Sequence, residues 1–119
     1  MKLWLLLAVL VVACSSFALA SSRSQRARGA AVFQVSGCQH CHTIRKIGGH
    51  KGPDLSGIGR RRSKAALRQQ IVYGSKVMPA FGDVLAPDEI SDLIAYLHSC
   101  RQKSAKTPPA PSSSQPSGN

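Results

Sequence analysis

The chain has 119 residues, of which 43% are hydrophobic, and a formal net charge of +11 at pH 7. This length provides for one domain of ordinary size and no more. A surface this basic favours acidic partners, and nucleic acid is excluded as the partner by the export signal that begins the chain.

Residues 1–20 predict an export signal. Lys2 is followed by an unbroken apolar run from Leu3 to Ala13, and the segment closes on the small-x-small sequence Ala18-Leu19-Ala20. Because the apolar run is shorter than the roughly 20 residues that span a bilayer core, a retained membrane anchor is the weaker interpretation. We therefore expect cleavage after Ala20 and a mature protein that works outside the cytoplasmic membrane.

A second processing site is an alternative. Residues 11–14 read VVAC, similar to the lipobox of bacterial lipoproteins, in which the cysteine becomes the lipidated first residue. Cys14 lies early for such a site, so cleavage after Ala20 is favoured. In either case the expected location is periplasmic, soluble or lipid-anchored. A lipid on Cys14 is the only membrane contact that we expect.

The composition changes again toward the C-terminus. Residues 104–119 hold four of the seven prolines and almost no apolar bulk, which predicts a disordered Pro/Ser-rich tail. Residues 23–103 remain as the folded domain. A domain of roughly 80 residues has a small core and usually needs additional stabilisation by disulfides, a metal or a large cofactor.

The first half of the domain predicts one helix and a long loop. Residues 26–42 carry several apolar side chains and no proline, which favours a helix running into the two cysteines. Residues 43–59 are rich in glycine and predict a loop. Ser63 is then placed to cap a short helix over 64–73, which ends at Gly74.

The last helix has the clearest signal. Pro87 stands at its first turn, and Ile90, Leu93, Ile94 and Leu97 recur at helical spacing. No segment alternates with the period of a strand for more than a few residues. We expect an all-α fold of three to four short helices, with loops so long that they normally wrap a bound group.

The sequence GCQHCHT at residues 37–43 carries the chemistry. On a helix, Cys38, Cys41 and His42 would share one face, which suits two thioether bonds to one haem edge and an imidazole under the iron. C-x-x-C-H is the attachment signal of c-type haem. A zinc site would need two more ligands at short spacing. A thioredoxin-like disulfide would need a βαβ setting. Haem is the favoured interpretation.

A haem iron with one protein ligand needs a second. Met78 is the only methionine besides the initiator, and it lies in the loop sequence V-M-P-A-F with Pro79 after it. A lone methionine is more often a core filler. Here the proline stiffens the loop, and Met78 is not part of an apolar pattern that would place it in the core. We therefore favour Met78 as the second ligand.

These motifs together resemble a family. From about Arg28 to Arg101 the chain is similar to the class I, monohaem cytochromes c. The similarity rests on GAAVF at 29–33, CQHCH at 38–42, GPDLSGIG at 52–59, IVYGSKVMPAF at 71–81 and EISDLIAYL at 89–97. It covers nearly the whole folded part, in the order of the family, and implies the cytochrome c fold around one covalently attached haem c.

The resemblance implies contacts that spacing alone does not reach. Gly29 and Phe33 of the first helix would pack against Leu93 and Tyr96 of the last. The Pro53 carbonyl would accept a hydrogen bond from the ring of His42, which fixes the tautomer of a ligating histidine. Four further side chains would line the haem pocket, namely Leu55, Ile58, Ile71 and Phe81.

The expected function is single-electron transfer between redox partners, with His42 and Met78 as the axial ligands of the iron and no enzymatic activity. We expect a monomer whose partners are acidic-surfaced redox proteins or a membrane oxidase or reductase. Two alternatives stay open: a haem-based gas-binding or sensor protein, and the electron-transfer subunit of a larger dehydrogenase or oxidase complex.

Four other residues invite a functional interpretation. His40 and His50 are expected to be exposed loop side chains, and His98 is expected at the surface. Cys100 continues the apolar stripe of the last helix, so we expect burial, although pairing between molecules remains an alternative for an unpaired thiol in an oxidising compartment.

Overall fold

A computed structural model describes residues 1–102, and within it the side chains of residues 9–19 are left undescribed. The predicted tail, residues 104–119, lies outside the described part. The helices and strands are α1 (Lys2–Val35), a 3₁₀ turn (Cys38–His40), β1 (Thr43–Ile44), β2 (Ile47–Gly48), α2 (Ile58–Arg61), α3 (Lys64–Tyr73) and α4 (Pro87–Ser99). The described part of the chain is mostly helical, as the sequence predicts.

The first helix differs from the prediction at both ends. It begins at Lys2, so the predicted signal and the first helix of the domain form one continuous α1. It ends at Val35, before the cysteines, because Gly37 adopts a left-handed backbone with φ 74° that no helix continues. The expectation of a helix running into Cys38 and Cys41 was therefore wrong.

The signals for α3 and α4 are confirmed by the structure. The Ser63 hydroxyl accepts a hydrogen bond from the Ala66 amide at 3.2 Å, and Gly74 ends α3 with φ 64°. Pro87 is the first residue of α4, and the Glu89 carboxylate accepts a hydrogen bond from the Ala86 amide at 2.9 Å. Each end thus satisfies backbone groups that a helix leaves unpaired.

The core forms where α1 crosses α4. A Cβ at Gly29 would overlap the backbone carbonyl of Asp92 and lie 2.8 Å from the Cβ of Tyr96, so the two helices approach as closely as a glycine permits. The rings of Phe33 and Tyr96 pack with centroids 5.9 Å apart at 59°. The contacts of Gly29 and Phe33 with Tyr96 are among those that the resemblance implies, and Leu93, the fourth residue of that set, belongs to the same buried core as Phe33.

An ion pair lies at one side of this crossing. Arg28 donates from Nε and from its terminal nitrogen to the two carboxylate oxygens of Asp92, at 2.7 and 3.2 Å. Asp92 is only 8% exposed. The bond from Arg28 lowers the pKa of Asp92 below its usual value, with the guanidinium charge adding to the effect.

A short hairpin follows the CQHCH motif and was not predicted. β1 and β2 pair antiparallel, with Thr43 opposite Gly48 and Ile44 opposite Ile47. The two turn residues, Arg45 and Lys46, have φ of 53° and 67°, and within residues 1–102 they are the only non-glycine residues with positive φ. Such a turn normally holds Asn-Gly, because a side chain with a Cβ is strained there.

The described residues contain no candidate membrane span. Among them no helix combines the length and the apolar character that a transmembrane span requires.

Candidate functional site

An apolar cleft lies beside the crossing of α1 and α4. It encloses about 290 Å³ of empty space, including the solvent at its mouth. It is lined by Phe33, Cys38, His42, Leu55, Ile71, Met78, Phe81, Leu93 and Leu97. A thiol, an imidazole and a thioether therefore face one apolar space, although their positions span 40 residues of sequence.

Cys38 lines this cleft from the 3₁₀ turn, and Cys41 follows at the end of the same turn. The carbonyl of Cys38 accepts hydrogen bonds from the amides of Cys41 and His42, at 3.2 and 2.9 Å, which bends the motif into a tight turn. Both thiols are free and half-buried. Burial raises the pKa of the Cys38 thiol, and the neighbouring Cys41 adds to the shift.

The ring of His42 is held in one orientation. Its Nδ1 lies 3.0 Å from the carbonyl oxygen of Pro53, and because a carbonyl can only accept, Nδ1 carries the proton and donates. Nε2 then keeps its lone pair for a metal ion. A Cβ at Gly52 would lie 2.6 Å from the Cε1 atom of this ring, so only glycine fits beside it.

The loop that supplies Pro53 is itself fastened to the motif. The amide of Gly52 donates to the carbonyl of Cys41 at 2.7 Å, and the amide of Leu55 donates to the carbonyl of Thr43 at 2.8 Å. The buried Thr43 hydroxyl donates to the Gly49 carbonyl at 2.6 Å. These bonds place the histidine, its acceptor and one cleft wall as a unit.

The loop that carries Met78 is built on the end of α3. The amide of Ser75 donates to the Met78 carbonyl at 2.8 Å, and the Ser75 hydroxyl accepts from the Met78 amide at 3.2 Å. The amide of Phe81 donates to the Ile71 carbonyl at 2.9 Å. A Cβ at Gly74 would overlap the Met78 carbonyl oxygen, so glycine is required at this turn.

One contact to the thioether was missed by the sequence reasoning. The side-chain amide of Gln70 lies on the last turn of α3, with Nε2 3.6 Å from the sulfur of Met78. No local pattern marks Gln70, because the contact bridges a helix and a loop. Leu97 was likewise predicted only as part of the apolar stripe, yet it lines the cleft.

Not every predicted site residue borders the cleft. Ile58 packs against the hydrophobic core and is not among the lining residues. Pro53 is exposed and contributes only its carbonyl. Cys41 is half-buried but is also not among the lining residues.

The donor set fits a haem of the c type. The Cys38 thiol, an imidazole nitrogen with a free lone pair and a thioether border an apolar cleft, and the second thiol, that of Cys41, ends the same turn as the first. A flat apolar macrocycle with two vinyl groups and an iron needs this combination. Zinc fits less well: among the described residues no three His, Cys, Asp or Glu side chains cluster as a metal site would require.

The remaining histidines and the third cysteine lie elsewhere. His40 and His50 are exposed as predicted, and His50 Nδ1 approaches the Thr43 hydroxyl at 3.3 Å. His98 is half-buried rather than fully at the surface. Cys100 is half-buried, its thiol donates to the Tyr96 carbonyl at 3.5 Å, and burial raises its pKa.

The domain matches a known protein family. Residues 24–97 match the family model described as cytochrome c oxidase, cbb3-type, subunit III. The matched range is more than half of the chain and includes both cysteines, His42, Met78 and most of α4. No curated protein and no solved structure matches significantly.

Proposed function

Because the chain belongs to the family of cytochrome c oxidase, cbb3-type, subunit III, which is a monohaem cytochrome c family, we propose that it is an exported carrier of single electrons with His42 and Met78 as axial ligands. Membership confirms the predicted resemblance to monohaem cytochromes c and the mostly helical fold. A domain of this family transfers electrons in respiratory chains and is not itself catalytic. The family implies covalent haem c.

One observation carries the proposal. Cys38 and His42 come from the turn after α1 and Met78 from the loop after α3, and all three border one apolar cleft. The loop that supplies Pro53 and the loop that carries Met78, here called the methionine loop, are each fixed by backbone hydrogen bonds at 2.7 to 2.9 Å. A methionine that only fills the core would not need them. These bonds fix the backbone of the segments that carry the imidazole and the thioether, and such preorganisation lowers the cost of binding a cofactor.

Haem supplies the one-electron couple between ferrous and ferric iron. The chain's own residues do the rest of the work in this proposal. Cys38 and Cys41 would anchor the macrocycle through thioethers. His42, polarised by the Pro53 carbonyl, would bind iron through Nε2. The apolar lining would exclude water, and together with a thioether ligand this favours the ferrous state and a raised potential.

The test is the absorption spectrum of the mature protein in both oxidation states, produced in a host competent in cytochrome maturation. We expect a haem c spectrum and the weak ferric band at the red end that reports sulfur ligation. Met78→Ala should abolish that band and open the iron to carbon monoxide. Colourless or zinc-containing protein, or a wild-type protein that binds carbon monoxide readily, would refute the proposal.

Export is part of the same proposal. Residues 1–20 have the layout of a cleaved signal, and cleavage after Ala20 would leave a shorter α1 that still reaches Val35. The intact mass of the purified protein decides the processing: a mature chain beginning at Ser21 supports the signal, and a lipidated chain beginning at Cys14 supports the lipobox. The haem assignment does not depend on either result.

Partner docking would use charge. Arg45, Lys46, Lys51 and Lys76 are all exposed, and exposed cations accelerate encounters with acidic surfaces. Electron transfer to an acidic partner should therefore slow as ionic strength rises. A rate that is independent of salt would refute the role of these four residues.

The family match also favours a second candidate, in which the chain is the electron-entry subunit of a larger oxidase. The family implies association with a cbb3-type oxidase or its redox partners. A tagged chain purified from its native membrane distinguishes the two: recovery in stoichiometric ratio with oxidase subunits supports the subunit, and recovery as a monomer supports the free carrier.

A further inference from the structure

Gln70 makes two contacts that join α3 to the methionine loop. Its backbone carbonyl accepts the Gly74 amide at 2.9 Å, which closes the helix, and its side-chain Nε2 lies 3.6 Å from the Met78 sulfur. Sulfur is larger than oxygen, so an N–H donor bonds to it at a longer distance. Because a thioether has no proton to donate, the amide nitrogen and not the amide oxygen faces it.

From this contact we propose that Gln70 is a positioning residue that donates a hydrogen bond to the Met78 thioether and raises the reduction potential of the bound haem. The inference rests on the proposed function, since it requires Met78 on the iron. A thioether sulfur has two lone pairs, so one can bind iron while the other accepts from Gln70.

The direction of the effect follows from charge. The amide N–H presents its positive end to the sulfur and draws electron density away from the iron, which favours the less positive ferrous state. A neutral hydrogen bond shifts an equilibrium by up to about tenfold. Gln70 is exposed and Met78 is partly so, and water competes for both groups. We therefore expect the hydrogen bond to shift the equilibrium between ferric and ferrous haem by about two- to fivefold, which raises the potential of a one-electron couple by roughly 20 to 40 mV.

The contact also restrains the thioether. Ser75 fixes the backbone of Met78, but no backbone bond fixes the end of a side chain with three rotatable bonds. A donor at the sulfur supplies that restraint from α3, whose next residue, Ile71, already lines the cleft. Removing the donor should therefore loosen the thioether as well as lower the potential.

The experiment compares two neighbouring glutamines in the holoprotein. Gln69 lies beside Gln70 on α3, is exposed, and makes no side-chain hydrogen bond to residues 1–102, so Gln69→Leu is the matched control. Spectroelectrochemical titration should give a potential lower by the amount above for Gln70→Leu and an unchanged potential for Gln69→Leu. Gln70→Glu keeps the length, loses the N–H donor and adds negative charge, so its potential should fall further.

Two spectroscopic readouts separate positioning from folding. The ferric sulfur band should weaken and carbon monoxide should bind more readily in Gln70→Leu, while the denaturation midpoint changes no more than in Gln69→Leu. Potentials of Gln70→Leu and Gln70→Glu equal to that of a wild type that shows the sulfur band would overturn the inference and leave Met78 ligation standing. A wild type without that band would overturn both.

Discussion

Gly29→Ala tests whether the α1–α4 crossing sets the stability of the domain. By helix propensity alone, this substitution should stabilise α1 by about 1 kcal/mol. The new Cβ, however, would fall on the Asp92 carbonyl and within 2.8 Å of the Tyr96 Cβ. Carbon atoms in contact need about 3.5 to 4.0 Å, so the helices must separate by roughly 1 Å.

The overlap is with a backbone carbonyl, so no change of side-chain rotamer relieves it. Overpacking lowers the free energy of unfolding by about 1 to 3 kcal/mol when side chains can adjust. Because they cannot adjust here, we expect a loss of about 3 kcal/mol from the overlap. The Phe33–Tyr96 ring contact at 5.9 Å loosens as part of that cost. Against the gain in propensity, the net loss is about 2 kcal/mol, or a fall in melting temperature of about 10 °C for a domain of this size.

The assay is equilibrium denaturation of the holoprotein, followed by far-ultraviolet circular dichroism. Ala31→Gly is the control, because Ala31 is exposed on α1 next to the crossing and should lose only the propensity of about 1 kcal/mol. If Gly29→Ala were as stable as wild type or more stable, the close approach of the two helices would not be what holds them, and the reasoning would be refuted.

Three further predictions concern the loops and the ion pair. Gly52→Ala should displace the His42 ring and weaken its bond to Pro53, which a change in the histidine ring resonances by NMR or a lower yield of haem-loaded protein would reveal. Asp92→Asn should destabilise the protein more at pH 7 than at pH 3. A carboxyl whose pKa is lowered in the folded state stabilises the protein above its unfolded pKa near 3.9, and that contribution falls as the pH drops toward and through the folded pKa. Denaturation midpoints at pH 7 and pH 3 measure the loss, and an equal loss at both would contradict the prediction. Lys46→Gly should raise the free energy of unfolding by about 1 kcal/mol by relieving the strain at φ 67°, with a chemical denaturation curve as the measure and an unchanged midpoint as the contrary result.

The sequence predicted best where the signal is local. Ser63 caps α3, Gly74 ends it and Pro87 begins α4, because each of these residues satisfies or blocks a backbone group within its own helix turn. The apolar face of α4 was predicted for the same reason. Its partner on α1 needed the family resemblance, since periodicity does not say which face packs on which.

Three features were not predicted because they depend on backbone conformation or on contacts between distant segments. The end of α1 at Val35 depends on the backbone angles at Gly37, and glycine permits a helix as well as a turn. The turn of the hairpin is Arg45-Lys46, whereas the pattern that predicts such a turn is Asn-Gly, so no sequence signal indicated the hairpin. The Gln70 contact joins a helix to a loop whose path the sequence did not define.

Two backbone hydrogen bonds fasten the segment after the hairpin to the residues that follow α4. The amide of Gly59 donates to the Cys100 carbonyl at 2.9 Å, and the amide of Gln102 donates to the Ser56 carbonyl at 3.0 Å. Bonds of this kind do not depend on which side chains stand nearby. The exposed cations at Lys51 and Arg60 can therefore be replaced without unfastening the segment, so the surface presented to redox partners is free to diversify during evolution while the cleft stays as it is.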